Sequence, residues 1–427
     1  MYNPVEKIEV FVWDEKVGAV VRDPSSGYYV FAYYPQFITL GIELAPIQMP
    51  LSSSPYVFAY LPEQTFKRLP ALLADALPDD FGNNLIDAWM AKKGVRKENV
   101  TPLDRLAYMG KRSMGALEFK PSRSHSSVSG ATALKMSNLV EAARRVVSGF
   151  TQTDDMAEAA LTQIIQVGTS AGGARAKAAI AWNPETNEIR SGQFTVAEGF
   201  EHWLLKFDGV GKDMALGSSK DYGRIEYAYY EMATMAGITM FPCHILEENG
   251  RAHFMTKRFD RQGNRKIHMQ TLCAMAHLDF KQLATHDYAQ LFLTIDQLGL
   301  GYEVMEEAFR RMAFNVMSAN CDDHTKNISF ILEKGGSWQL SPAYDVTHAY
   351  NPHGANVHQH LMSVNGKFKE ITREDLLEVA NRFGIGTAHK VLKNIAQAIG
   401  RWSEIAQAAG VDGKEIEKIR SHHHILR

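Results

Sequence analysis

From residue 8 the chain runs in short β-branched and aromatic stretches, IEVFVW, VGAVVR and YYVFAYY, cut by DPSSG, which predicts a small sheet folded about turns. The period changes near residue 69. LPALLADALPDDFGNNLIDAWMAKKG places apolar residues at helical spacing, is interrupted by Pro78 and closes at Gly94, and GKRSMGALEFKP returns to strand. Residues 121–137, PSRSHSSVSGATALKMS, carry Ser and Gly without period and predict an exposed linker. A helical pattern over about 138–166 gives way to strands in ARAKAAIAW and HWLLKFD around the turn NPETNE. A helix is predicted over 222–236, and CHILEENGRAHFMTKRFDR reads as a hairpin about Asn249 and Gly250. Beyond residue 270 helical periods dominate, broken by one β insertion, ISFILEKGGSWQLSPAYDV. The class is therefore α+β: an α/β domain over 1–120, a linker over 121–137, a β-rich lobe over 138–265 and a mostly helical lobe over 266–427.

Composition adds limits. The 427 residues suit roughly two to four domains, and 45% apolar with 22% charged residues is ordinary for a globular protein. Forty-six Lys and Arg against 48 Asp and Glu leave a net charge of −2, so no global attraction to nucleic acid or acidic membrane is implied. The three cysteines, Cys243, Cys273 and Cys321, form no CxxC pair, which argues against a disulfide framework or a cysteine zinc site and suits a reducing cytoplasm. The opening MYNPVEKIEVF lacks the basic-then-apolar order of a signal peptide, and no membrane span is predicted.

The chemistry concentrates in ANCDDHTKNISFIL, residues 319–332, where polar and charged residues crowd against an apolar strand. Asp322 and Asn327 are followed, past a hairpin, by Asp345 in PAYDV. Phosphoryl transfer needs a carboxylate to orient and deprotonate the acceptor hydroxyl, an amide oxygen for metal, and a second carboxylate for the Mg²⁺ on the β and γ phosphates, in that order. A polar helix end with a solvated turn would give the same composition. VGTSAGGARAKAAI holds Gly168, Gly172 and Gly173 around Ser170; such a loop lets backbone N–H groups approach phosphates, and equally makes a plain turn. Lys206 alternates with Leu204 and His202 on a strand face of mixed character. His353, His358 and His360 in HGANVHQH have a spacing open to metal, although an alternating strand explains it better.

NCDDHTKNISF followed by LSPAYDVT resembles the signature of the HipA family, the serine/threonine kinase toxins of bacterial toxin–antitoxin pairs, and the likeness runs along essentially the whole chain. VGTSAGGARAKAAI resembles the family's glycine-rich loop with its autophosphorylated serine, and HWLLKFD the strand with the ATP-contacting lysine. MTKRFDR resembles the inter-lobe segment whose backbone holds adenine, HMQTLCAM a segment after it, and residues 8–120 the family's N-terminal domain. The resemblance implies a two-lobed protein-kinase-like fold, with Asp322 catalytic, Asn327 and Asp345 on Mg²⁺, and Gly172, Gly173, Ala174, Lys206, Lys257 and Phe259 at ATP. Glu226 is then the candidate partner of Lys206, and Ser170 the self-phosphorylated residue, its phosphate competing with those of the nucleotide and expelling the loop. Lys326 could bring positive charge to the transferring group or pair with Asp323, and His324 would fix the loop. Arg175, Ala176 and Lys257 depart from the acidic or amide residues of the family's reference toxins, and Arg175 bears on control by autophosphorylation.

The implied partners are a protein substrate, aminoacyl-tRNA synthetases being among the family's targets, and a HipB-like helix-turn-helix antitoxin through which alone DNA is reached. KRFDRQGNRK, residues 257–266, would then be a solvated hairpin edge or a phosphate-contacting patch. Two other functions share the motifs: a small-molecule kinase on a related fold, and a catalytically silent subunit of an antitoxin–DNA repressor complex.

Overall fold

The computed structural model describes residues 2–78, 80–123, 134–148, 175–193, 195–210 and 221–426. They fall into two compact units that interleave along the chain. The first comprises Met1–Gly211, Met255–Gln270 and Ile331–Ser337; the second comprises Lys212–Phe254, Thr271–Phe330 and Trp338–Arg427.

The first unit opens with the expected sheet. Strands β1 (Lys7–Val12), β2 (Glu15–Arg22), β3 (Tyr29–Tyr33) and β4 (Leu117–Lys120) run antiparallel in the order β3-β2-β1-β4. Alternation decides which face is buried: Ile8, Val10 and Val12 on β1, and Tyr29, Phe31 and Tyr33 on β3, point into the core. Gly18 on β2 lies so close to β3 that a Cβ there would stand 2.2 Å from the carbonyl oxygen of Ala32. Gly18→Ala is therefore expected to cost about 1–3 kcal/mol of overpacking; a denaturant midpoint equal to wild type would contradict the close approach. Helices α1 (Asp80–Lys92) and α2 (Pro102–Met109) follow, α2 opening on a capping box between Thr101 and Asp104. Helix α3 (Met136–Ser148) begins inside the expected linker, most of which, like residues 149–166, lies outside the described residues.

Strands β5 (Lys177–Trp182), β6 (Ile189–Ser191) and β7 (Glu201–Lys206) are antiparallel, with β5 between the other two. The mixed face expected for Lys206 is not found. From His202 to Lys206 every residue of β7 is buried, and so is all of β5, because the strands are covered on both faces.

Residues 257–266 form no basic patch either. A hairpin with an exposed tip is there, Arg261–Gln262 pairing with Arg265–Lys266, but the cations are engaged by this same unit. Arg258 donates Nε to Asp260 Oδ1 at 2.8 Å and Nη2 to Oδ2 at 2.7 Å. Arg261 Nη1 reaches Oδ2 at 2.8 Å, and the Gly115 N–H donates to the same oxygen at 2.7 Å. Lys257 pairs with Glu201 at 2.6 Å, Lys266 with Glu118 at 2.9 Å, and Arg265 donates to Gln262. Burial pulls the Asp260 carboxyl up, but Arg258, Arg261 and the Gly115 N–H together hold it well below the usual carboxylate range.

The second unit is mostly helical: α4 (Tyr222–Met235), α5 (Tyr288–Gln297), α6 (Tyr302–Met317), α7 (Arg373–Arg382), α8 (Ala388–Gly400), α9 (Trp402–Ala408) and α10 (Gly413–His422). Phe309, Met312, Phe314 and Met317 of α6 are fully buried, and the ring of Tyr229 meets Phe314 and Trp402 edge-on. Strand Cys243–Glu248 begins a hairpin that turns at Asn249 and Gly250, both at positive φ, as the sequence indicates. The strand expected through His353–His360 is absent: residues 351–360 are turns and irregular backbone, with His353 and His358 exposed and His360 buried. Just beyond that segment, the short strand Met362–Ser363 pairs in parallel with His286–Asp287. Among the described residues no helix is long and apolar enough to cross a membrane.

Candidate functional site

The site is built where α6 stops. Ala319 takes a left-handed φ of 57°, and the Asn320 N–H closes back on the Asn315 carbonyl at 3.0 Å, ending the helix without a glycine. Residues 320–324 carry no regular secondary structure, His324 being extended, and one 3₁₀ turn at Thr325–Asn327 precedes the strand Ser329–Leu332. Burial alternates over residues 321–324. Cys321 and Asp323 are buried, whereas the Asp322 side chain is 42% exposed.

Asn327 donates its amide nitrogen to the Asp322 carbonyl at 2.8 Å. A carbonyl can only accept, so the orientation of that amide is fixed and its oxygen is left to face other partners. Asp345 adopts a left-handed φ of 56°, an uncommon conformation for a residue with a side chain, of the kind that collects at functional sites. Its neighbour Tyr344 clamps the loop, donating to the Lys326 carbonyl at 2.9 Å with Ser329 Oγ at 2.6 Å from the same hydroxyl. Asp322, Asn327 and Asp345 line one cavity of about 40 Å³, together with Arg311, Asn315 and Tyr344. That space admits an ion with a few waters.

The donor set suits Mg²⁺. The Asp345 carboxylate and the Asn327 amide oxygen are hard oxygen ligands, and Mg²⁺ is ordinarily held by one or two carboxylates with waters and substrate phosphates completing its shell. Among the described residues no three His, Cys, Asp or Glu group together as a metal site, those of HGANVHQH included.

Other residues of the motif are placed differently from expectation. Lys326 does not pair with Asp323; its Nζ lies 5.4 Å from the centre of the Phe280 ring, while Asp323 is taken by Tyr288, His360 and the Leu361 N–H. The His324 ring stands 5.1 Å from that of Phe280, with Nε2 3.8 Å from Asp322 Oδ1. Thr325 anchors the turn through Oγ1 to the Leu278 carbonyl at 2.7 Å. Arg311 at the cavity was not found from the sequence, although it shares the face of α6 that carries Asn315 four residues on; it pairs with Glu307 at 2.9 Å.

In the first unit Lys206 stands opposite Lys177 in the register of β5 and β7, and both are buried. The Lys257 side chain is committed to Glu201, and Phe259 is buried. Glu226 is buried on α4 of the second unit. Ser170, Gly172, Gly173 and Ala174 lie outside the described residues; Arg175 and Ala176 are described, Ala176 buried.

Comparison with known proteins adds to this geometry. A family model for the HipA-like C-terminal domain matches residues 169–410, and one for the HipA N-terminal domain matches residues 8–120. None of the curated proteins compared matches the chain. Among solved structures the chain is similar to HipA of the Shewanella oneidensis MR-1 toxin–antitoxin system, solved in complex with HipB and its operator DNA. The TM-score is 0.68 at 16% identity, over 98% of this chain and 96% of that one, which shows a shared fold. Similarity to the Helicobacter pylori proinflammatory kinase CtkA is weaker, with a TM-score of 0.38 at 13% identity over 59% of this chain and 90% of that one. The α+β, kinase-like class read from the sequence is upheld, and with family models covering both the N-terminal region and most of the remainder, the chain belongs to the HipA family.

Proposed function

We propose that the protein is an ATP- and Mg²⁺-dependent serine/threonine protein kinase of the HipA-toxin kind, which phosphorylates a host protein and so arrests growth. The observation that carries this reading is the convergence of Asp322, Asn327 and Asp345 on one cavity. The half-exposed Asp322 carboxylate orients the acceptor hydroxyl and takes up its proton as the phosphoryl group transfers. The Asn327 amide oxygen and the Asp345 carboxylate would hold Mg²⁺, which when bound neutralises charge on the nucleotide's phosphates. Lys206 would meet the α and β phosphates, the backbone beside Lys257 and Phe259 would hold adenine, and Gly172, Gly173 and Ala174 would let the backbone approach the phosphates. Ser170 is the proposed site of self-phosphorylation. The proposed partner is a small helix-turn-helix antitoxin like the HipB bound by the Shewanella protein, with DNA reached through it.

The test is incubation of the protein with labelled ATP, Mg²⁺ and host cell extract, followed by mass spectrometry of every labelled site. Label on serine or threonine of a host protein is expected. Label confined to small molecules would favour a small-molecule kinase, and no label with ATP bound would refute a kinase reading.

A further inference from the structure

Asp322 is flanked by two buried side chains, and these are tied together behind it. The Asp323 carboxylate is wholly removed from solvent, yet it is saturated with donors: Tyr288 OH at 2.9 Å and His360 Nδ1 at 2.8 Å on Oδ2, and the Leu361 N–H at 2.7 Å on Oδ1. The other ring nitrogen of His360, Nε2, lies 3.8 Å from Cys321 Sγ, the residue on the other side of Asp322. The network extends into the helices. Asn315 Nδ2 donates to Tyr288 OH at 2.9 Å, and Asn320 Nδ2 donates to Asn315 Oδ1 at 2.9 Å. Residues 320, 321 and 323 are thereby fastened to α5, to α6 and to the backbone at 360–361.

A buried carboxylate without a cation is costly, and a buried imidazolium without an anion equally so; together, with further hydrogen bonds, they hold a fixed geometry. Burial pulls the His360 pKa down, but the Asp323 carboxylate and the neighbouring Cys321 outweigh it and raise it to about 10. The distances place Nδ1 to donate to the Asp323 carboxylate, which accepts only, and Nε2 toward the Cys321 thiol. With Cys321 and Asp323 both tied down, the backbone between them, and with it the Asp322 side chain, has little room to turn. His360 therefore reaches the proposed catalytic carboxylate through both adjacent residues without touching it.

We propose that His360, through its pair with Asp323, is the positioning residue of the phosphoryl-transfer loop, fixing residues 320–323 so that Asp322 faces the acceptor hydroxyl. This rests on the kinase reading. A loosened loop misplaces the base without emptying the nucleotide site, so the loss belongs in turnover. A displacement on the order of 1 Å at a reacting group costs about 100-fold.

The test compares steady-state transfer by wild type, His360→Gln, Asp323→Asn and the double variant, each checked by circular dichroism and thermal unfolding. Each single variant should lose about 10–100-fold in kcat with KM for ATP within about twofold of wild type, and the double variant should be no worse than the poorer single one, because both remove one device. A folded His360→Gln with wild-type kcat, or a loss that falls equally on KM, overturns the proposal. Should the variants not fold, NMR of imidazole-labelled wild type decides: the His360 ring should stay protonated from pH 6 to 8, and an ordinary titration near pH 6.5 overturns the pair. A wild type that transfers nothing overturns the kinase reading and this role with it. A wild type that transfers, with His360→Gln unchanged, overturns the positioning role alone.

Discussion

Replacing Asp322 with Asn is expected to lower phosphoryl transfer by about 10²–10⁴-fold, the range a positioned general base supplies, while ATP binding stays near wild type. The carboxylate is the exposed member of the loop, and its carbonyl, not its side chain, is what Asn327 uses. An asparagine of the same shape leaves that hydrogen bond and the buried Asp323 network in place, so the fold should be untouched. The proton-accepting oxygen is what disappears. Initial rates with saturating Mg²⁺ and ATP, beside nucleotide titrations of both proteins, separate the two quantities. Transfer within about threefold of wild type would place the base elsewhere.

The largest effect on stability is expected at Asp260. Its carboxylate is the shared anion of Arg258 and Arg261, fully buried, with the Gly115 N–H on the same group. Asp260→Ala leaves two guanidinium groups without their counter-charge, and breaking a buried ion pair from one side costs about 3–5 kcal/mol. The pH dependence has a definite sign. The folded carboxyl is held below its unfolded value, so as pH falls the unfolded chain binds the proton first. The contribution is therefore complete above about pH 4, the unfolded pKa of an aspartate, and is lost progressively below it. Urea unfolding at pH 7 should show the full difference between wild type and variant, and the difference should narrow toward pH 3. A gap under about 1 kcal/mol at pH 7, the scale of an exposed pair, would mean that the cluster is solvated.

The cluster also shows where the sequence stops being legible. KRFDRQGNRK reads as a basic patch because charge is counted along the chain. Asp260 is shared by two of its arginines in space, and Glu201 and Glu118, far away in sequence, take its lysines. The strands of the opening sheet and the hairpin at Asn249 were readable because alternation and turn chemistry are local, whereas the pairing of β4 with β1 is long-range and was not. The strand imagined through HGANVHQH was not formed, since its alternation reflects one buried histidine bound to Asp323, 37 positions earlier. Within the site, Asp322, Asn327 and Asp345 could be picked out by order and spacing, and they do line one cavity. Asp323, Tyr288, His360 and Arg311 could not, because their roles depend on contacts between distant segments that no periodicity records.

The central claim is that Asp322, Asn327 and Asp345 form a Mg²⁺-dependent nucleotide site, and calorimetric titration of ATP into wild type and Asp345→Asn, with and without Mg²⁺, tests it most directly. Wild type should bind ATP markedly tighter with Mg²⁺ than without. Asp345→Asn should lose most of that gain, by at least about tenfold in affinity, because it removes a charge facing the cation. Equal affinity for all four combinations of protein and metal would contradict the account.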